Sequence, residues 1–126
     1  MTPERRHIPW MIAAITWTAA LLYFSLIPSP PHVEGFWGWD KFQHAFSLGV
    51  MCLLIAITCL IMQTSLKKAC QIGLVSAIIC GGLIEIFQGL FTTSREADIR
   101  DFEADALGAL LATAFLILMV KYRGRR

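Results

Sequence analysis

The sequence predicts an all-α fold, a four-helix transmembrane bundle with short loops and both termini on the cytoplasmic side. Two observations predict this fold class. Apolar residues make up 56% of the 126 residues and charged residues 16%, whereas soluble domains contain about 45–50% and about 25%. The apolar residues also form four runs, each long enough to cross the roughly 30 Å hydrocarbon core of a bilayer as a helix. We therefore expect one domain, residues 1–126, embedded in a membrane.

The predicted helices cover about residues 8–27, 42–62, 69–91 and 102–120. The first follows Arg5 and Arg6 as a signal peptide would, but its apolar run exceeds the usual length of about 7–15 residues. No small-residue cleavage site follows it, so we predict an uncleaved helix. The other three runs are separated by short connections, which leave no room for a separate soluble domain.

The positions of lysine and arginine predict the orientation of the bundle. Most lie before helix 1, between helices 2 and 3, and after helix 4: Arg5, Arg6, Lys67, Lys68, Lys121, Arg123, Arg125 and Arg126. Because basic loops stay in the cytoplasm, both termini are predicted to be cytoplasmic. The net charge of +2 is small and no basic groove is suggested, which excludes nucleic-acid binding. The four cysteines form no CxxC pair and are interpreted as packing residues.

The remaining ionisable residues converge on the predicted outer boundary of the membrane. They begin helix 2, end helix 3 and lead into helix 4, so three distant segments bring polar groups to one depth. The candidate members are the ionisable residues Asp40, Lys41, His44, Glu85, Arg95, Asp98, Asp101 and Asp105, together with the neutral amide Gln88. An ionisable group within the membrane marks a functional site by default. This convergence is the main functional signal in the sequence.

Helical spacing ranks these candidates. Asp40 and His44 are four residues apart and share a face, on which the carboxylate can orient the imidazole ring. Glu85 continues a stripe of small residues, Gly73, Ala77 and Gly81, so we expect it to face the bundle interior. The candidate catalytic residues are Glu85, His44 and Asp101. The candidate binding residues are Arg95, Lys41, Asp40, Gln88, Asp98 and Asp105.

Structural roles explain part of the same pattern. Asp98 and Asp101 can cap helix 4 and interact with its positive N-terminal end. Helix 4 also carries Asp105, Gly108 and Ala112 on one face, which is polar at the outer end and small deeper in. We expect this face to pack against helix 3.

Three motifs follow one another at helix-length intervals: DKFQH at residues 40–44, EIFQ at residues 85–88 and READIRDFEADALG at residues 95–108. Together they resemble the VanZ-like family of membrane proteins. The family pattern is roughly DKxxH, then ExxQ, then Rxx[SD]xxDxxxNxxG, and the resemblance covers about residues 10–120. Asp105 departs from it, since the family usually has asparagine there.

The resemblance implies a multi-pass protein of the bacterial cytoplasmic membrane. The founding member of the family is associated with low-level resistance to the glycopeptide teicoplanin, and no settled reaction accompanies the family. The matching positions are therefore expected to be site residues without an assigned role.

Two functions from different classes follow. In the first, the protein binds or modifies an envelope lipid or a lipid-linked cell-wall intermediate. Arg95 and Lys41 would hold a phosphate-bearing headgroup, and Glu85 or His44 would transfer a proton. In the second, it is a non-enzymatic protein whose charged cluster holds the bundle together or contacts a partner.

A divalent metal held by Asp40, His44, Glu85 and Asp101 is a weaker variant, because the sequence contains no compact metal-ligand spacing. We therefore predict neither a metal nor a cofactor. The expected partners are membrane lipids, and the stripes of small residues are compatible with a homo-oligomer.

Overall fold

The computed structural model describes residues 5–27, 38–92 and 97–124, and within these ranges the chain forms four α-helices. They are α1 (Ile8–Leu26), α2 (Trp39–Ile61), α3 (Leu66–Phe91) and α4 (Ile99–Arg123). All four are long and apolar enough to cross a membrane. The predicted all-α four-helix bundle is confirmed, and the chain is a multi-pass integral membrane protein.

Three helices begin three residues earlier than predicted, because local capping sets their starts. Gly38 precedes α2 with a φ of 83°, a left-handed conformation that favours glycine. Ser65 caps α3 by accepting a hydrogen bond from the Lys68 N–H at 3.4 Å. Asp98 caps α4 through the Arg100 N–H at 2.9 Å. The apolar runs locate the helices, but their first turns are polar.

The helix α2 lies at the centre of the bundle and packs most extensively against α4, then against α3. At Gly108 of α4 the two backbones come so close that an added Cβ would collide with the Ala45 carbonyl. Gly73 of α3 approaches α2 in a similar way, since a Cβ there would lie 2.6 Å from the Cys52 oxygen. The small-residue face of α4 thus meets mainly α2, and the expectation that it packs against helix 3 holds only in part.

The interior of the bundle contains two apolar clusters. The larger includes Leu48, Cys52 and Ile84, each 1% exposed. The smaller lies toward the end of the bundle that carries the α2–α3 turn, and is formed by Ala56, Cys70 and Leu116. The helix α1 packs on α2 and α3 at the side, with Trp17 Nε1 donating to the Ser47 carbonyl at 3.0 Å. The opposite end of the α2–α4 interface is polar.

Candidate functional site

The polar end of the bundle is formed by side chains from the first turns of α2 and α4 and the last turns of α3. His44, Glu85 and Asp105 each lie five or six residues from the end of their helix, so each is about 8–9 Å along the helix axis from it. Glu85 is 7% exposed and Asp105 only 1%. The predicted convergence of three segments at one depth is therefore present, and we call this group, with Asp40, Lys41, Asp98 and Asp101, the outer cluster.

Lys41 forms the outer layer of this cluster. Its Nζ lies 2.6 Å from Asp101 Oδ1, 3.4 Å from Asp98 Oδ2 and 3.7 Å from Asp40 Oδ2. Its side chain is 39% exposed, and that of Asp40 64%. Lys41 thus joins the start of α2 to the start of α4 and remains partly accessible at the bundle surface.

His44 lies below Lys41 and contacts carboxylates of both neighbouring helices. Its Nδ1 is 3.1 Å from Asp105 Oδ1 and 4.0 Å from Glu85 Oε1. Its other ring nitrogen, Nε2, is 3.8 Å from Asp101 Oδ2. The imidazole is thus surrounded by three carboxylates, one from α3 and two from α4. The predicted candidates His44, Glu85 and Asp101 lie together.

Glu85 connects α3 to the N-terminal end of α4. Its Oε2 accepts a hydrogen bond from the backbone N–H of Asp98 at 2.8 Å. This N–H is at the start of α4, where the helix dipole favours negative charge. Asp98 itself lies outside the helices, and the Arg100 N–H holds the pKa of its carboxyl below the usual value, with a further contribution from Lys41. The proposed capping role of Asp98 is present together with its ion pair.

Two carboxylate oxygens in the outer cluster are buried without a hydrogen-bond partner among the described residues. They are Glu85 Oε1 and Asp105 Oδ2. Buried polar atoms in folded proteins nearly always have a partner, and a partnerless one costs about 1–3 kcal/mol or more when charged. The internal hydrogen bonds of the cluster therefore leave binding capacity unused at its centre.

Two glycines make this arrangement sterically possible. A Cβ at Gly81 would lie 2.7 Å from Asp105 Oδ2, so the absence of a side chain there lets the Asp105 carboxylate sit against α3. Gly108, one turn further along α4, allows the backbone of α2 to come close beside His44. The stripes of small residues in the sequence predicted close helix approach, but they did not reveal that this approach positions the charged groups.

The predicted binding residue Gln88 forms its hydrogen bond outside the cluster. Gln88 is buried, but its Nε2 donates to the Ser25 carbonyl at 3.0 Å, at the C-terminal end of α1. This bond satisfies one of the carbonyls that the end of a helix leaves without a partner. Ser25 was not among the predicted residues, since nothing in the sequence showed which α1 carbonyl would be reached. Arg95 falls outside the described residues.

The donor atoms of the cluster form two groups with the spacing of metal ligands. In one, atoms of His44, Glu85 and Asp105 all lie within 4.8 Å of one another, and in the other atoms of Asp40, His44 and Asp101 do. The quartet of metal ligands considered from the sequence was Asp40, His44, Glu85 and Asp101. Glu85 lies in the first group, Asp40 and Asp101 lie in the second, and His44 belongs to both. Asp105, absent from that quartet, is the most buried ligand of all.

Comparisons with protein-family models, curated proteins and solved structures find no match for this chain.

Proposed function

We propose that the chain is a VanZ-like protein of the bacterial cytoplasmic membrane, and that its outer cluster binds the phosphate-bearing headgroup of an envelope lipid or a lipid-linked cell-wall intermediate. The observation that carries a binding role is the burial of Glu85 and Asp105 with one oxygen of each lacking a partner among the described residues, and the assignment to a phosphate rests on Lys41 and Arg95. A cluster that served only packing would be expected to satisfy its own polar atoms. This one keeps polar groups free at the membrane boundary.

The headgroup would first contact Lys41, which forms the outer layer of the cluster. Lys41 is partly exposed and carries three N–H donors on a flexible stem. Its ion pairs with Asp98 and Asp101 hold the ammonium in place, so little side-chain entropy remains to be lost on binding. Arg95, three residues before Asp98, is the second cation we assign to the phosphate, because its planar fork suits a phosphate oxygen pair.

Any reaction on the lipid would depend on the inner layer. His44 lies between carboxylates of α3 and α4. An imidazole ring in such a position can accept a proton on one nitrogen while its other nitrogen donates a hydrogen bond to a carboxylate. We therefore assign proton transfer to His44 or Glu85, with Asp101 orienting the imidazole. A change in glycopeptide susceptibility is the cellular effect that the VanZ-like resemblance suggests.

A non-enzymatic structural role is the second candidate, and a specific observation favours it. Lys41 ties α2 to α4, and Glu85 ties α3 to the backbone of Asp98. The cluster therefore connects three of the four helices. In this case neutralising Glu85 would lower the amount of folded protein in the membrane, and not only its activity.

Native mass spectrometry of the detergent-purified protein tests the lipid proposal. The wild type should retain one class of phosphate-bearing lipid, and Arg95→Ala and Lys41→Ala should lose it. Lys67→Ala is the matched control, because it removes an exposed lysine at the opposite end of the bundle. Unselective retention that none of the three substitutions changes would contradict the proposal.

The orientation of the site is a separate part of the proposal. We place the outer cluster on the extracytoplasmic side, because the basic residues favour cytoplasmic termini. In a cysteine-free background, single cysteines at positions 34 and 94 should react with a membrane-impermeant reagent from outside, and a cysteine at position 66 only from inside. The reverse pattern would place the cluster on the cytoplasmic side.

A further inference from the structure

We propose that His44, Glu85 and Asp105 bind one divalent cation at the centre of the outer cluster. The ligands would be one imidazole nitrogen and two carboxylate oxygens, contributed by α2, α3 and α4 respectively. The role of the ion rests on the proposed lipid-binding function. Binding of the ion itself can be tested without any lipid.

The distances between the donor atoms fit a single ion. Ligands at about 2.1 Å from a metal lie about 3 Å apart at right angles and about 4.2 Å apart on opposite sides. His44 Nδ1 is 3.1 Å from Asp105 Oδ1 and 4.0 Å from Glu85 Oε1. All three donor atoms lie within 4.8 Å of one another. Small side-chain rotations are therefore enough to direct them at one point.

The free oxygens provide the second, independent observation. Glu85 is 7% exposed and Asp105 is 1% exposed. Glu85 Oε1, which faces His44, has no hydrogen-bond partner in the part of the chain that the structure describes, nor does Asp105 Oδ2. A cation between the Glu85 and Asp105 carboxylates would give Glu85 Oε1 the partner it lacks, with Asp105 contributing Oδ1, because Asp105 Oδ2 lies against Gly81. It would also balance their two negative charges, which are costly to bury separately in a membrane protein.

The surroundings supply the outer contacts that metal-bound histidines usually have. When Nδ1 binds the ion, the ring proton is on Nε2, which lies 3.8 Å from Asp101 Oδ2. A small shift makes this a hydrogen bond and gives the carboxylate–histidine–metal arrangement that orients the ring. The other carboxylate oxygen of Glu85, Oε2, accepts a hydrogen bond from the Asp98 N–H at 2.8 Å, which orients the side chain.

The ligand set selects among cations. Imidazole suits first-row transition metals, and carboxylates suit harder ions, so one histidine with two carboxylates fits Mn²⁺ or Zn²⁺ better than Ca²⁺. Three protein ligands leave at least one coordination position for another oxygen. An ion at this depth, below Lys41, would add positive charge to a cluster dominated by carboxylates and so attract a phosphate headgroup.

Titration of Mn²⁺ into the chelator-treated, lipid-stripped protein in detergent tests the site, with electron paramagnetic resonance reporting the free ion. The wild type should bind one Mn²⁺ per chain, and Zn²⁺ should displace it. Glu85→Gln and Asp105→Asn should each weaken binding at least about tenfold, since loss of even a supporting residue has an effect of that size. Helical circular dichroism and elution volume show whether each variant is folded.

Glu103→Gln is the matched control, because it neutralises an exposed carboxylate of α4 outside the cluster. Its Mn²⁺ affinity should equal that of the wild type. The proposal is overturned if the folded wild type binds no Mn²⁺ at about millimolar concentration, or if both cluster variants bind it as tightly as Glu103→Gln. The wild-type result decides the question even when a variant fails to fold.

The two proposals fail in distinguishable ways. If Mn²⁺ binds but no phosphate-bearing lipid is retained, the ion site stands and the lipid function falls. If lipid is retained equally with and without chelator and Mn²⁺ does not bind, the lipid function stands without the ion. Adding inorganic phosphate to the Mn²⁺-loaded protein shows whether the remaining coordination position takes a free phosphate or only one carried by a lipid.

Discussion

The two ends of the interface formed by α2, α3 and α4 are built from opposite kinds of residue. At the end near the α2–α3 turn, Ala56, Cys70 and Leu116 pack without any charge. At the other end the same three helices bring together His44, Glu85 and Asp105. Apolar packing therefore holds these helices at one end, and the charges at the other end call for a different explanation.

The energetic difference between the two ends supports a functional explanation. A charged side chain in the membrane costs about 3 kcal/mol or more near the centre, and less near the boundary. Replacing a buried ion network by apolar residues is often neutral, or stabilising by about 1–4 kcal/mol. A sequence under pressure only for stability would thus favour apolar residues at both ends. The comparison predicts that close packing of apolar side chains and helix backbones controls stability, and that the charged side chains of the outer cluster control binding.

The largest effect is expected at Gly108, where α2 and α4 approach most closely. In Gly108→Ala the new Cβ would collide with the backbone at Ala45, and helix backbones cannot yield as a side chain can. We expect a loss of about 3 kcal/mol or more in the free energy of unfolding, the upper range for overpacking. Thermal unfolding in detergent, followed by circular dichroism, measures it.

Gly82→Ala is the control for this substitution, since a Cβ there would meet only Phe102 at 3.5 Å, an ordinary contact. Its stability should match that of the wild type or exceed it, because alanine favours helix. Equal stability of both variants would show that the close contact of α2 and α4 does not hold the outer cluster together.

A smaller loss is expected from a cavity at the apolar end. Leu116 is 7% exposed, whereas Leu118 of the same helix is 67% exposed and faces the surroundings of the bundle. Leu116→Ala should cost about 2–3 kcal/mol of unfolding free energy through lost packing, and Leu118→Ala much less. The folded Leu116→Ala protein should still bind Mn²⁺ and lipid as the wild type does. Loss of binding at unchanged stability would contradict the separation of the two ends.

The smallest effect concerns the pH dependence contributed by Asp98. Because its pKa is lowered in the folded protein, the ionised carboxyl contributes stability above its unfolded pKa of about 3.9, and this is lost as pH falls through the folded value. The decrease in Tm between neutral pH and pH of about 3 should be smaller in Asp98→Asn than in the wild type. We expect a difference below about 4 °C.

Glu103→Gln serves again as the comparison, since Glu103 is an exposed carboxylate of the same helix. It should change the pH dependence of Tm less than Asp98→Asn does. A larger change from Glu103→Gln would mean that the cap and the Lys41 contact of Asp98 do not stabilise the folded state.

The fold was predictable because apolar runs of membrane length leave few alternatives. The starts of α2 and α3 were not, since Gly38 and Ser65 set them by backbone conformation and capping rather than by hydropathy, whereas the Asp98 cap that starts α4 was among the expected roles. The sequence also showed that a face with small residues would pack closely. It could not show that Gly108 meets Ala45 of α2, because a small residue permits close contact without specifying the partner.

The convergence of most of the predicted residues in one cluster was predictable, but their pairings were not. His44, Glu85 and Asp101 lie together as expected, because helical spacing fixes the face and distance from the helix end fixes the depth. The contact of Gln88 with Ser25 depends on where α1 ends beside α3, which is a tertiary feature. The central position of Asp105 depends in turn on Gly81 of α3, a contact between helices that no local pattern encodes.

The most direct test of the central claim combines stability and lipid retention in one variant. Glu85→Gln keeps the shape of the side chain and removes only its charge. Our account predicts a Tm within about 4 °C of the wild type, together with loss of the phosphate-bearing lipid in native mass spectrometry, because Glu85 is a proposed ligand of the ion that attracts the headgroup. A large fall in Tm with unchanged lipid retention would contradict it, and would show that the outer cluster holds the bundle together rather than binding a ligand.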